Sequence, residues 1–294
     1  MYNPLMNRPV VQDLIRIVAL GIVSLAVFWA GLWMWGNWND EWSGFNAQFT
    51  VSDGYCNIAV VPIVGDISTL PDPNAASESD SAAPDAYSYP VANVDDILYK
   101  LRLAEYDPSV EGILIRIDSP GGTPVASEVL ADAIKGLSLP TAALIREYGT
   151  SGGYLAATGA DTIFASPLSD VGSIGITMSY IENVAKNTKE GLRYVPLASA
   201  PYKDSGDPNK PLTTAERALF ERDLKIYHDV FVKKVAENRG LTTEDVERLA
   251  DGSSMPGELA LENKLIDALG NQDSTRAWFA QQLEIPASDV VFCE

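Results

Sequence analysis

Hydrophobic positions along this chain fall into three spacings. The first is unbroken: Ile17 to Trp35 gives 19 residues without a charge. As a helix this run spans about 29 Å, close to the hydrocarbon thickness of a bilayer. Trp29, Trp33, Trp35 and Trp38 crowd its second half, as in an aromatic belt. A cleaved signal peptide has a shorter apolar core that ends in small residues. The pattern therefore predicts a transmembrane anchor over 14–36, preceded by a short segment 1–13. Arg8 and Arg16 lie before the span, and Asp40 and Glu41 after it. The positive-inside tendency then puts 1–13 in the cytoplasm and the body of the protein outside.

The second spacing is the short apolar run of a buried strand, and the third is the helical repeat. After a connector over 37–57, Ile58–Gly65 reads IAVVPIVG, a strand. Residues 66–93, rich in Ala, Ser, Asp and Pro, cannot bury enough apolar surface to order themselves and read as a flexible acidic loop inside the domain. Val94, Ile97, Leu98 and Leu101 then recur at helical spacing. Strands are predicted at 112–117, 141–146, 163–165 and 192–197, and helices at 124–137 and 152–159. Strands alternating with helices of this length indicate βαβ units and a mainly parallel sheet. The last third is more helical. Thr213 and Glu216 form a capping-box pattern, followed by Phe220, Leu224, Tyr227, Phe231 and Val235 up to Gly240. Two shorter helices are expected at 241–249 and 256–263, then a C-terminal tail over 271–294.

Composition narrows the function. The formal net charge of −19, with no cluster of Lys and Arg, is wrong for a nucleic-acid phosphate backbone. Cys56 and Cys293 are too few for a disulfide framework and fit no metal-site spacing. They read as incidental, able to pair only in an oxidising compartment. No cofactor and no metal is expected.

The chemistry points to two Gly-rich strand exits. In Ile117-Asp-Ser-Pro-Gly-Gly122 a buried strand ends just before a helix, where outward amides suit a developing oxyanion. In Tyr148-Gly-Thr-Ser-Gly-Gly-Tyr154, Ser151 stands between strand and helix beside the amide of Gly152. That placement follows the logic of a nucleophile elbow, and the Gly-Lys-Ser/Thr of a phosphate-binding loop is absent. A serine nucleophile needs a base. The only histidine, His228, reads as a solvated residue beside the apolar stripe of the long helix. A lysine can serve if burial or a neighbouring cation favours its free amine. Lys186, Lys189, Lys203 and Lys210 are the downstream candidates, and Lys203 stands out because it follows the strand expected at 192–197.

Five segments occur in order: Asp118-Ser-Pro-Gly-Gly122, Ser151-Gly-Gly-Tyr154, Val171-Gly-Ser-Ile-Gly-Ile176, Tyr202-Lys-Asp204 and Gly257-Glu-Leu-Ala-Leu-x-x-x-Leu-Ile-Asp267. Over roughly 58–270 the chain resembles the signal peptide peptidase A family, the S49 serine peptidases. The resemblance implies a ClpP/crotonase-like α/β fold, a βαβ spiral with a helical C-terminal part, behind one N-terminal transmembrane helix. It implies a Ser-Lys dyad, with Ser151 as nucleophile and Lys203 as general base. Gly121 or Gly122 together with Gly152 would form the oxyanion hole. Gly172, Ser173 and Gly175 would shape the substrate groove, with Ser173 hydrogen-bonded to Lys203. Family members of this length are similar in forming ring-shaped homo-oligomers, in which Lys203 can come from the adjacent subunit. The implied setting is the bacterial inner membrane, single-pass, with the catalytic domain on the periplasmic side. The implied substrates are hydrophobic peptides such as remnant signal peptides. Two departures stand out: the insertion at 66–93 is long, and Asn263 stands where the family usually has Gly.

The same dyad would suit a SohB-like or stomatin-associated membrane protease. A catalytically silent scaffold with this fold is another reading. A crotonase-type acyl-CoA enzyme shares the two-amide oxyanion hole but not a serine nucleophile with a lysine base.

Overall fold

A computed structural model describes residues 51–52, 54–70 and 90–293. The expected anchor, most of the connector and most of the acidic loop lie outside the described residues. Among the described residues no helix is long and apolar enough to cross a membrane.

The sheet is built on three long parallel strands, β1 (Ile58–Ser68), β3 (Gly112–Gly122) and β4 (Thr141–Thr150). β2 (Val91–Asn93) pairs with the far end of β1, and β5 (Thr162–Ala165) pairs with the first half of β4. The connections are helical: α1 (Val94–Tyr106), α2 (Pro124–Lys135) and α3 (Gly152–Ala157). The α/β class and parallel sheet expected from the alternating pattern are therefore present. β1, β3 and β4 read as continuous apolar runs because both of their faces are covered. Ile113, Ile115 and Ile117 face a large core beneath α1–α3. Leu114 faces a second core with Leu144, Phe164 and Phe279.

Each long strand outruns its sequence signal, since β3 and β4 continue into their Gly-rich exits. The ladders re-register between Val64 and Asp66 on β1 and between Ile117 and Ser119 on β3. Beyond that level β4 exchanges β5 for β6 (Asp170–Gly172), which pairs antiparallel with β7 (Ser254–Pro256). The strand ends carrying the glycines thus enter a separate part of the sheet. Such bulges bend a strand and re-aim the residues after it.

The C-terminal third contains α4 (Val184–Lys189), α5 (Thr214–Arg239), α6 (Thr243–Glu247) and α7 (Gly257–Glu262). α5 starts at the expected capping box, Thr213 and Glu216 bonding reciprocally, and ends at Gly240 with φ 64°. At the end of α7, Asn263 has φ −84° and needs no glycine, while the left-handed residue is Lys264 at φ 60°.

Three expectations change. Residues 192–197 form no strand: Leu192, Val195 and Leu197 are exposed (59%, 64% and 95%) and no strand of the described residues lies beside them. The expected C-terminal tail is part of the fold. After β8 (Ala268–Leu269), α8 (Gln272–Gln282) buries Phe279 completely against the second core, and β9 (Phe292–Cys293) pairs with Ile58 and Ala59 of β1. The cysteines are not incidental either. Cys56 and Cys293 form a disulfide across this strand pair, with Cα atoms 5.2 Å apart. It closes a loop of 237 residues, so most of its effect falls on the unfolded chain. Cys56→Ser or Cys293→Ser should lower the unfolding free energy by about 2–5 kcal/mol in chemical denaturation, matching the reduced wild type. A reductant should have no further effect on either variant.

Candidate active site

Ser151 sits at the junction of β4 and α3 with φ 51° and ψ −124°, a conformation costing a non-glycine residue about 1–3 kcal/mol. Bonds on both sides impose it. Its N–H donates to Gly172 O (2.7 Å), its carbonyl accepts from Leu155 N–H (3.0 Å), and the preceding Thr150 hydroxyl donates to Pro120 O (3.1 Å). The exit of β4 is thereby tied to β6 on one side and to the exit of β3 on the other.

The two exits approach so closely that side chains are excluded. A Cβ on Gly121, whose φ is 119°, would lie 2.8 Å from Ser151 Cβ. One on Gly152 would lie 2.0 Å from Ser127 Oγ and 3.3 Å from Gly122 N. Gly122 and Gly152 thus bring their backbones together beside Ser151, and all three line one cavity. The Gly121 amide is engaged elsewhere: it donates to Ser119 Oγ (3.1 Å), whose hydroxyl donates to Gly65 O (2.6 Å). Of the two glycines left open by the sequence, Gly122 is the one that faces the cavity.

Ser151 borders two cavities. The first, about 290 Å³, is walled by Val125, Leu155, Ile176, Ile226, Val230 and Phe231, with Glu128 and Lys234 paired at 3.3 Å among its lining residues. The second, about 430 Å³, is more polar and includes Ser173, Gly175, Thr177 and His228. Gly172 and Ser173 both have positive φ (95° and 53°), which turns the chain after β6. Gly175 approaches Gly252 closely, a Cβ there standing 3.0 Å from Gly252 Cα. The Ser173 hydroxyl donates to Gly252 O (3.0 Å) and not to Lys203 as expected, because Ser173 N–H and Gly252 N–H also bond across the same pair of loops.

Lys203 lies on an exposed turn and lines neither cavity. Within one chain, the structure does not bring it together with Ser151. Lys186 and Lys189 lie exposed on α4. Lys210 bonds Glu216 and Asp204, and these two carboxylates hold its ammonium well above the usual lysine range. Lys234 is likewise raised, by Asp132 first and then Glu128. His228 is half-buried rather than solvated; its Nε2 lies 3.0 Å from Ala250 O at the wall of the second cavity. Helical projection alone could not show that, because the loop carrying Ala250 covers this face of α5. Among the described residues no group of three or more His, Cys, Asp or Glu could hold a metal ion.

One supporting residue had no stated role in the sequence, although it closes the Ser151-Gly-Gly-Tyr154 segment. Tyr154 is fully buried, its hydroxyl donates to Leu265 O (2.8 Å), and burial pushes its pKa up. Arg239 extends the connection, donating to Lys264 O (3.1 Å) and Asp267 Oδ1 (2.7 Å), while Asp267 accepts from Ile163 N–H (2.7 Å). The short helix behind Ser151 is thus anchored to the loop that carries the late Leu-Ile-Asp motif.

Ser151 thus stands strained at a strand-to-helix turn of an α/β fold, with the Gly122 and Gly152 backbones beside it and an apolar cavity in front. Residues 134–286 match the model of peptidase family S49. The chain is 32% identical over 189 residues to a putative protease of Methanocaldococcus jannaschii, covering 64% of this chain and 61% of that one. It is 30% identical over 195 residues to a putative signal peptide peptidase SppA of Enterococcus faecium (65% and 57%), and 31% identical over 192 residues to protease 4 of Salmonella typhi (64% and 31%). The chain belongs to peptidase family S49, the signal peptide peptidase A family. It spans less than two thirds of the length of each of these relatives.

Removing the Tyr154 hydroxyl leaves the Leu265 carbonyl buried without its donor, at a cost of about 1–3 kcal/mol. Tyr154→Phe should lower stability by that amount in urea titration, with its far-UV spectrum unchanged.

Proposed function

We propose that this protein is a membrane-anchored serine endopeptidase in which Ser151 is the nucleophile and Lys203 the general base. The observation that carries the reading is the Ser151 backbone, held at φ 51° and ψ −124° beside the Gly122 and Gly152 backbones. In the proposed reaction the Lys203 amine takes the Ser151 Oγ proton as Oγ attacks the scissile carbonyl carbon. The amides of Gly122 and Gly152 receive the oxyanion. Collapse of the tetrahedral adduct expels the amine, which takes the proton back from Lys203 and leaves an acyl-enzyme. Water, deprotonated by the same lysine, then attacks the acyl carbon, and collapse releases the peptide acid as the lysine returns the proton to Ser151 Oγ. The fold in this reading is of the ClpP/crotonase type.

Lys203 comes from an adjacent subunit of a ring-shaped homo-oligomer. What supports this is its exposed turn, together with unpaired apolar residues leading to it: Ile181, Leu192, Val195 and Leu197 are all more than half exposed. Packing this arm on a second copy would bury them and favour the free amine of Lys203. Substrates are hydrophobic peptides, including remnant signal peptides, and the apolar cavity beside Ser151 suits their side chains. The run Ile17–Trp35 anchors the protein in the bacterial inner membrane with this domain outside. The disulfide agrees with an oxidising, extracytoplasmic side.

The second cavity gives a specific reason to weigh His228 as the base. Ser151→Ala and Lys203→Ala should each abolish cleavage of a hydrophobic peptide by the detergent-solubilised protein, with oligomer size unchanged. Co-assembling the two inactive variants should restore part of the activity, since mixed subunit boundaries would hold intact dyads. His228→Gln should slow fluorophosphonate labelling of Ser151 far less than Lys203→Ala does. An equal loss would move the base to His228.

A further inference from the structure

The turn that carries Lys203 belongs to a stretch with few regular elements between β6 and α5. Most of the turn's backbone bonds are long: Lys203 N–H to Ala200 O and Ser205 N–H to Tyr202 O are both 3.3 Å and Lys210 N–H to Asp207 O is 3.4 Å, against 3.1 Å for Asp207 N–H to Asp204 O. Bonds at the long end of the range hold a turn weakly. A side-chain network adds to them. Asp204, the residue after Lys203, accepts from Lys210 Nζ at Oδ1 (2.9 Å) and from the Tyr194 hydroxyl at Oδ2 (3.2 Å). The second bond of Lys210 goes to Glu216 Oε1 (2.5 Å). The other oxygen of Glu216 accepts from Thr213 N–H and Thr213 Oγ1 (both 2.9 Å) within the capping box of α5.

We propose that Lys210 is a positioning residue for the base, bridging Asp204 to Glu216 so that the Lys203 turn is hung from the first turn of α5. This rests on the reading of Lys203 as general base. Two features separate positioning from simple stabilisation. An ammonium between two carboxylates, with side chains exposed by only 18%, 18% and 3%, gives up most of its hydration, so such clusters are weak evidence for stability and better evidence for register. The helix to which the turn is fixed also supplies Ile226, Tyr227, Val230 and Phe231 to the cavity beside its own chain's Ser151, about 15–23 Å along its axis from Glu216. One rigid rod thus moors the base offered to a neighbouring subunit and walls the cavity beside this subunit's own Ser151. Thr213 and Lys210 hold the Glu216 carboxyl down at about 2, chiefly through Lys210, and Asp204 is lowered mainly by the same ammonium. The bridge therefore stays charged across the range in which a lysine base would work.

The test uses the full-length, detergent-solubilised oligomer and compares Lys210→Met, Lys210→Arg and Lys203→Ala. Lys210→Met should lower kcat for a hydrophobic peptide by about 10–100-fold, the scale of a displacement of about 1 Å, and slow fluorophosphonate labelling of Ser151 in parallel. KM and oligomer size should stay near wild type. Lys210→Arg, which can still bridge two carboxylates, should recover most of the loss. Wild-type kcat in Lys210→Met, or no recovery in Lys210→Arg, would overturn the positioning role while an inactive Lys203→Ala left the dyad standing. Activity retained in Lys203→Ala would overturn the dyad and this proposal with it. If Lys210→Met does not assemble, Asp204→Asn carries the same test, since it weakens the same bridge from the other side without changing size.

Discussion

A methyl group on Gly121 would stand 2.8 Å from Ser151 Cβ, and one on Gly152 would stand 2.0 Å from Ser127 Oγ. That crossing of the β3 and β4 exits, at a separation open only to backbone, is the constraint on which the site depends. It brings two glycine backbones beside a serine whose own backbone is strained. The strain persists because Gly172 O, Leu155 N–H and the Thr150–Pro120 bond over-determine the turn. Any side chain added at the crossing would have to push the two exits apart.

The sheet makes this crossing possible by changing direction at one level. Below the bulges at Val64–Asp66 and Ile117–Ser119, the strands are covered on both faces and are mostly apolar. Above them, polar and glycine residues take over: Ser119 bonds Gly65, Asp118 accepts from Tyr148 N–H (3.1 Å), and β6 takes the place of β5. Stability and chemistry are thus separated along the same three strands. Tyr154 and Arg239 tie the upper layer back to the helices, so the short α3 does not rely on its own six residues for order.

Much of this was legible in the sequence because burial on two faces leaves a plain signature. The runs in β1, β3 and β4, the Gly-rich exits around Ser151, and the Thr213–Glu216 capping box each specify themselves locally. What was not legible depends on partners distant in the chain. Cys56 and Cys293 carry no local sign that β9 lies beside β1, and a two-residue strand is too short to announce itself. Leu192 to Leu197 has the apolar content of a strand, but an apolar run becomes a strand only where another strand accepts its hydrogen bonds. Asp204, Lys210 and Glu216 look like an ordinary solvated surface, since only folding shows one ammonium facing both carboxylates. His228 was misplaced for the same reason, the loop that covers it being 22 residues away.

The bond between Cys56 and Cys293 has a topological consequence. Every element from β1 to α8, including the exposed arm around 181–202, lies within one covalent ring. A single backbone cut anywhere in that ring, including one made by a neighbouring copy in the arm, opens the circle without releasing a fragment. The two pieces remain one molecule until the sulfur bridge is reduced. For a protein that presents an exposed apolar segment, the bridge turns what would be a loss of parts into a nick.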